Sequence, residues 1–521
     1  MSNKLLNNLY FLSIFAGVSV FLAFERYNLI PSLILFPILF NSLLFRVSSS
    51  KQAFWLGFLT SFVVMVGGFY WVAYVLHEFA YVPWSVAVLM FLAFCGFGAL
   101  NFPLFTLLGY KIITECRLNS KSKITSQFFI PFFLPALFTL IEYTIPKLFP
   151  WYLGHSLYQQ PYLIQIVELT GCTFLTFLLY QTGSILHVKV SAGKFPKVAS
   201  IVCASLWCFS LGFSWYRLNH FSPEMRDINV LLVQPNIGSL EKVAAEKGIA
   251  GRVTYVVEKY QKLTDEALAK TKSDLVLWPE TAMPFQMDFP SRYALDIKKY
   301  IAEKNTNFII GGYGKGALDS LKDRNAAFVF EPGKPNYTTL YAKSILLPFG
   351  EFLPLGDSFP ALYRMFPQVA NFERGMTQEP IPLPNGLRVG CTICYEDIIP
   401  SFYRRTAGYG PNVIVNLTND SWFGPTSEPY LHASLTNFRA IEARIPFLRV
   451  TNTGTSFLVD IYGNILHRTG VFEDGVIQAN ISVPVSPERT IYVQYGDWIM
   501  ILLGLVVGLG IWRLKNASVS V

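Results

Sequence analysis

Hydrophobic positions follow two regimes along this chain. Up to about residue 220 they form long, nearly unbroken runs: Tyr10–Phe24, Leu29–Phe45, Ala53–Leu76, Trp84–Tyr110, Phe128–Ile141, Leu163–Ile185 and Val198–Trp215. About 20 apolar residues of helix cross the hydrocarbon core of a bilayer. In lipid only a helix satisfies its own backbone. The runs therefore predict seven membrane helices, with the first, second and fifth marginal in length on their own. An eighth run, Trp498–Trp512, is short but flanked by aromatic residues suited to the interface. The first run follows Lys4 in the manner of a signal peptide. However, Ser19–Phe24 offers no small-x-small cleavage site, so a retained helix is expected.

From Asp227 to Arg489 the pattern changes. Short β-branched runs predict strands at Ile228–Val233, Leu275–Trp278, Phe308–Gly311, Ala326–Phe330, Leu387–Ile393, Val413–Leu417 and Phe447–Val450. Helical spacing predicts helices at Arg252–Lys270, Ala294–Lys304 and Pro429–Arg444. Some 260 residues suffice for one large core, and strands mixed with helices predict helices layered on sheets. The domain boundaries expected are 1–220, 221–490 and 491–521.

Composition sharpens this division. The 521 residues are 52% hydrophobic and only 15% charged, against about 25% charged in soluble domains. That argues against a soluble single domain, and the 16% aromatic content excludes disordered, collagen-like and coiled-coil classes. Residues 1–220 contain five acidic residues (Glu25, Glu78, Glu115, Glu142 and Glu168), while the other 29 of 34 lie later. With the N-terminus cytoplasmic, the inside segments carry twelve basic residues: Lys4, Arg46, Lys51, Lys111, Arg117, Lys121, Lys123, Lys189, Lys194, Lys197, Arg513 and Lys515. The short outside loops carry Arg26 and Lys147. Positive charge is retained inside, so seven crossings put the α/β region outside the cytoplasm and the eighth returns the C-terminus. The net charge of +8 is then a topology signal, and no nucleic-acid partner is expected.

Five of the seven cysteines (Cys95, Cys116, Cys172, Cys203 and Cys208) lie in or beside the apolar runs, where a thiol packs as a small apolar group. Cys391 and Cys394 form C-x-x-C, but no second pair or H-x-x-x-H accompanies them, and alternation places the two thiols on opposite faces of a strand. No P-loop, H-E-x-x-H or dinucleotide fingerprint occurs. No cofactor or metal is expected, and Gly311-Gly312-Tyr313-Gly314 reads as a turn. Cys394 stands at a strand end, where catalytic side chains emerge in α/β domains. A thiol nucleophile needs a proton acceptor. His432 reads as a helix-packing residue and His467 as a solvent-facing strand residue, so a Cys–His dyad is not expected. Glu280 in Trp278-Pro279-Glu280 and Lys343 and Glu351 in Lys343-Ser344-Ile345-Leu346-Leu347-Pro348-Phe349-Gly350-Glu351 would each pass as a surface charge in isolation.

Their order with Cys394-Tyr395-Glu396-Asp397 changes the reading. W-P-E, K-x-x-L-x-P-F-G-E and C-x-x-C-Y-E-D together resemble the nitrilase (carbon–nitrogen hydrolase) superfamily. Val233-Gln234-Pro235-Asn236-Ile237, Asn416–Phe423, Arg439-Ala440-Ile441-Glu442 and Arg449–Gly454 extend the likeness across the region. With the flanking helices, the chain resembles the apolipoprotein N-acyltransferase family. The resemblance implies a polytopic α-helical membrane domain of about eight helices joined to an α/β αββα sandwich. It implies a Glu280–Lys343–Cys394 triad, with Glu280 as base, Cys394 as nucleophile and Lys343 stabilising the oxyanion. Glu351, Tyr395, Glu396 and Asn325 would support the site. It further implies a phospholipid acyl donor, diacylglyceryl-cysteine lipoproteins as acceptors, a monomer, and a place in the bacterial inner membrane with both termini cytoplasmic and the catalytic region periplasmic. The family carries a Trp after V-Q-x-N-I at the lipid entrance; here that stretch is Lys242-Val243.

Two other functions remain open from the residues: a membrane-anchored amidase using water as acceptor, and a transporter. Transport calls for ionisable residues along a pathway, and Glu168 and Glu142 are the candidates. Phe359–Pro367 reads either as an amphipathic arm at the lipid surface or as ordinary packing.

Overall fold

The computed structural model describes residues 8–79, 81–118, 125–317, 320, 322–367 and 369–519. Lys4, Lys121 and Lys123 of the charge pattern lie outside these residues, as do the side chains of Cys116, Arg117 and Lys515. The chain forms two compact units. One comprises the chain up to Phe221 together with Tyr495 onward, and the other is Ser222–Gln494.

Every one of the eight apolar runs is helical, but fewer qualify as spans than expected. Among the described residues, two helices can cross a bilayer by length and composition, Trp84–Glu115 and Lys197–His220. A third qualifies if Ser50–Gly68 and Trp71–Glu78, bent by 55°, count together. The eight-helix expectation fails because apolar runs do not reveal where helices break. Leu9–Phe21 and Pro31–Leu44 are short, the second with Pro37 inside it. The run Leu163–Ile185 divides into Pro161–Ile164, Val167–Thr170 and Thr173–Ala192, with Gly171 at φ 73° between the last two. Small residues allow close helix approach. A Cβ on Gly17 would meet Thr60 O at 2.6 Å, and one on Gly57 would meet Phe102 O at 2.9 Å. Asn41, fully buried, accepts from Tyr180 Oη and donates to Ser184 Oγ. Glu168 pairs with Arg217 at 2.9 Å and Glu142 with Lys147 at 3.8 Å. The two candidate pathway acids are thus engaged in ion pairs.

The second unit holds two six-stranded sheets. Its strands are β1 (Met225–Gln234), β2 (Leu275–Trp278), β3 (Asn307–Lys315), β4 (Asp323–Phe330), β5 (Thr339–Ala342), β6 (Ile381–Pro382), β7 (Arg388–Ile393), β8 (Val413–Thr418), β9 (Phe447–Thr451), β10 (Phe457–Val459), β11 (Ile465–Arg468) and β12 (Gly475–Pro484). The orders are β12-β1-β2-β3-β4-β5 and β11-β10-β9-β8-β7-β6. In each sheet the three central strands are parallel: β1, β2 and β3 in one, β7, β8 and β9 in the other. Period-two alternation sends Val230, Leu232, Leu275 and Leu277 into the same core as Val389, Cys391, Val413 and Val415 of the facing sheet. Leu231, Val233, Val276 and Trp278 pack under the helices Ala250–Leu268 and Arg292–Glu303. Ile414, Phe447, Phe457 and Val459 pack under Pro400–Gly408 and Glu428–Ala443. The result is the expected helix–sheet–sheet–helix sandwich.

Two local expectations change. Gly311–Gly314 is not a turn but the middle of β3, paired with Arg324–Ala327 of β4. The Phe359–Pro367 stretch is not packed inside: its helix Ala361–Met365 buries no residue, and Phe359 and Met365 are exposed.

Candidate active site

The parallel strands end where the motifs begin. After β2, the chain turns at Pro279 and presents Glu280, which is 6% exposed. This turn needs Gly311 on the neighbouring strand, because a Cβ there would lie 2.2 Å from Pro279 O and 2.6 Å from Glu280 Cα. Asn325 sits in β4, and Lys343 directly follows β5, with its N–H donating to Asn325 O.

These residues converge. Glu280 Oε1 accepts from Asn325 Nδ2 at 2.7 Å and from Lys343 Nζ at 3.1 Å. Its Oε2 accepts from the Asn419 N–H at 3.0 Å. Glu351 Oε1 accepts from the same Lys343 Nζ at 2.8 Å and from Asn325 Nδ2 at 2.9 Å. Glu351 Oε2 accepts from Leu347 N–H and so closes its own loop. Lys343 is 1% exposed. Burial alone would lower its pKa, but Glu280, Glu351 and Cys394 hold it well above the ordinary lysine value.

Cys394 directly follows β7 and opens the turn Cys394–Ile398 in left-handed backbone at φ 50°. Its carbonyl accepts from Asn416 Nδ2 at 3.2 Å. Burial, then the Glu280 charge, push its thiol well above the ordinary value, with Lys343 pulling the other way and Asp420 and Glu351 adding to the rise. Cys391 lies in the sandwich core, and both thiols are free.

Glu396 does not touch this constellation. Its Oε1 accepts from the N–H groups of Ser344 and Ile345, and its Oε2 accepts from Tyr341 Oη and Ile393 N–H. It ties the Lys343 loop to the Cys394 turn. Burial raises its pKa to about 7, against the pull of those hydrogen bonds and of Lys343. Tyr395 is buried beside the nucleophile.

Two features were not apparent from sequence. The first is a buried ionic cluster behind Cys394. Arg449 pairs with Asp397 at 2.7 Å and Asp420 at 3.1 Å, and His432 contacts the same two carboxylates at 3.0 and 3.2 Å. Donor atoms of Asp420, Glu428 and His432 lie within 4.8 Å of one another, a spacing that suits a metal. Arg449 and His432 already engage Asp420, so the protein's own cations meet that charge. His432 packs in the helix Glu428–Ala443 as expected, and His467 is exposed on β11. The second feature is Lys242, on the helix Ser239–Glu246. It is buried with Nζ on Thr281 Oγ1. Its spacing of four from Glu246 was the available signal.

Known proteins match this arrangement in both units. The family profile described as apolipoprotein N-acyltransferase N-terminal domain matches residues 16–185, and carbon-nitrogen hydrolase matches 232–486. An apolipoprotein N-acyltransferase of Bdellovibrio bacteriovorus is 35% identical over 488 residues, covering 89% of this chain and 87% of its own. One of Geobacter metallireducens is 29% identical over 529 residues, covering 97% and 96%. A solved carbon-nitrogen hydrolase from Helicobacter pylori G27 aligns over 53% of this chain and 94% of its own, at 18% identity and a TM-score of 0.36. With the first of these relatives matched along nearly its whole length, the chain belongs to the apolipoprotein N-acyltransferase family, within the carbon–nitrogen hydrolase superfamily.

Proposed function

We propose that this enzyme moves an acyl chain from a membrane phospholipid, through a thioester on Cys394, to the α-amine of the N-terminal diacylglyceryl-cysteine of lipoproteins. The observation that carries this reading is the buried Glu280–Lys343–Glu351 group together with Cys394 on a left-handed turn, in a chain half made of apolar helices. Glu280 takes the thiol proton as sulfur attacks the ester carbonyl. The Lys343 ammonium stabilises the oxyanion in a site where water is scarce. Collapse forms the thioester and expels the lysophospholipid alkoxide, which recovers the proton from Glu280. The acceptor amine then attacks the thioester, gives its proton to Glu280, and the leaving thiolate is reprotonated. Splitting the transfer in this way gives ping-pong kinetics. Asn325 and Glu351 hold Lys343 and Glu280 in register, Glu396 braces the turn, and Tyr395 lines the site.

The same reading assigns residues 1–220 to a membrane domain and 491–521 to a C-terminal membrane helix with a short tail. It puts 221–490 on the periplasmic side of the bacterial inner membrane and both termini in the cytoplasm, with the enzyme acting as a monomer. Mass spectrometry of the purified protein with phospholipid tests it. Wild type gains one acyl mass on Cys394, Cys394→Ala gains none, and a diacylglyceryl peptide discharges the adduct as acylated peptide. An acylated Cys394→Ala protein overturns the nucleophile, and discharge to free fatty acid at an equal rate without peptide makes the protein a hydrolase.

A further inference from the structure

Glu280 and Glu351 are two buried carboxylates sharing one ammonium, Lys343. Lys242, 5% exposed, enters from the helix Ser239–Glu246. Its Nζ donates to Thr281 Oγ1. With the Asn419 amide oxygen turned toward the donors, Nζ also donates to Asn419 Oδ1 at 2.8 Å, alongside Trp422 Nε1 at 3.2 Å.

Both partners of Lys242 control Glu280. Thr281 is the next residue in the chain and sits in left-handed backbone at φ 47°. Asn419 donates its N–H to Glu280 Oε2. The other end of the helix is fastened to β3, where Tyr313 Oη donates to Glu246 Oε1 at 2.7 Å. We propose that Lys242 is a positioning residue of the acylation step: it fixes the Glu280 carboxylate for Cys394 through Thr281 and Asn419. Burial lowers the Lys242 pKa, with Glu246, Glu280 and Cys394 pulling the other way. The proposal rests on Glu280 being the base and Cys394 the nucleophile.

The test compares full-length wild type, Lys242→Met, Lys242→Arg and Glu280→Gln in phospholipid micelles. The acyl mass on the Cys394 peptide is followed in time, together with the iodoacetamide labelling rate of the same peptide. Lys242→Met is expected to acylate about 100-fold more slowly at saturating phospholipid, the scale of a reacting group displaced by about 1 Å, with KM for phospholipid unchanged. Its Cys394 is labelled more slowly, whereas an unfolded protein would label Cys394 and Cys391 faster. Lys242→Arg keeps charge and donors and recovers most of the rate. If Lys242→Met unfolds, Lys242→Gln carries the same expectation. Acylation of Lys242→Met at the wild-type rate, or Lys242→Arg as slow as Lys242→Met, overturns the proposal while a slow Glu280→Gln leaves the site reading intact. Wild-type rates in Glu280→Gln overturn the underlying reading itself.

Discussion

Cys394 and Thr281 hold left-handed backbone that L residues avoid, at a cost of roughly 1–2 kcal/mol each. The surrounding hydrogen bonds must over-determine these turns, and the two highest-stake side chains are Lys343 and Glu396. Lys343→Met removes the shared ammonium and leaves Glu280 and Glu351 buried against each other. Acyl-enzyme formation should fall by about 100-fold or more, read as the rate of acyl mass gain on Cys394. Glu396 receives four donors on two oxygens, a load an amide cannot accept. Glu396→Gln should cost about 2 kcal/mol for the donors it leaves unpaired, measurable as a lower denaturant midpoint. His432 adds a pH signature. Burial and Arg449 push its pKa down, but Asp397 and Asp420 win and raise it from 6.5 to about 9, with Glu428 also facing the ring. A folded value above the unfolded one means the stabilisation, roughly 3 kcal/mol, is complete below pH 6.5. It is lost as pH rises through about 9. Hydrogen exchange at Cys394–Ile398 should loosen across that window in wild type, and His432→Gln should flatten the dependence. At this scale the motif order announced Glu280, Lys343 and Cys394. It could not announce Lys242 or the Asp397–His432–Arg449 cluster, whose members meet only through folding.

At the scale of elements, the strands with buried, continuous apolar runs were legible: Leu275–Trp278 has the bounds the pattern predicts. The edge and closing strands were not. β11 and β12 mix exposed and polar residues, β5 and β10 are only four and three residues long, and β12 is held by pairing over ten residues with β1, the first strand of the unit. The helix Ser239–Glu246 is not legible either, being only eight residues long and half polar. Gly311 was misread as part of a turn because glycine signals turns on average. Its role is to leave room for the Pro279–Glu280 turn on the next strand. Gly311→Ala should therefore unfold or displace that turn, at a cost of about 3 kcal/mol from an overpacked core, and should abolish acyl-enzyme formation. A variant with wild-type stability and rate would show that the turn has slack.

Across the whole molecule, the charge pattern makes the sharpest forecast. Single cysteines placed at Lys189 and at Glu473 of a chain stripped of its other reactive thiols should differ in whole cells. Only the Glu473 position should react with a membrane-impermeant maleimide, and equal labelling would refute the orientation. The sequence by itself determined the division into two solvents, the sandwich class and the order of the chemical groups. It could do so because solvent and strand period act on every residue and are written locally. Only the tertiary structure decided where apolar runs break into separate helices, which carboxylates share Lys343, and that Lys242 stands against Thr281. Those outcomes depend on contacts between residues tens to hundreds of positions apart, and no local pattern encodes them.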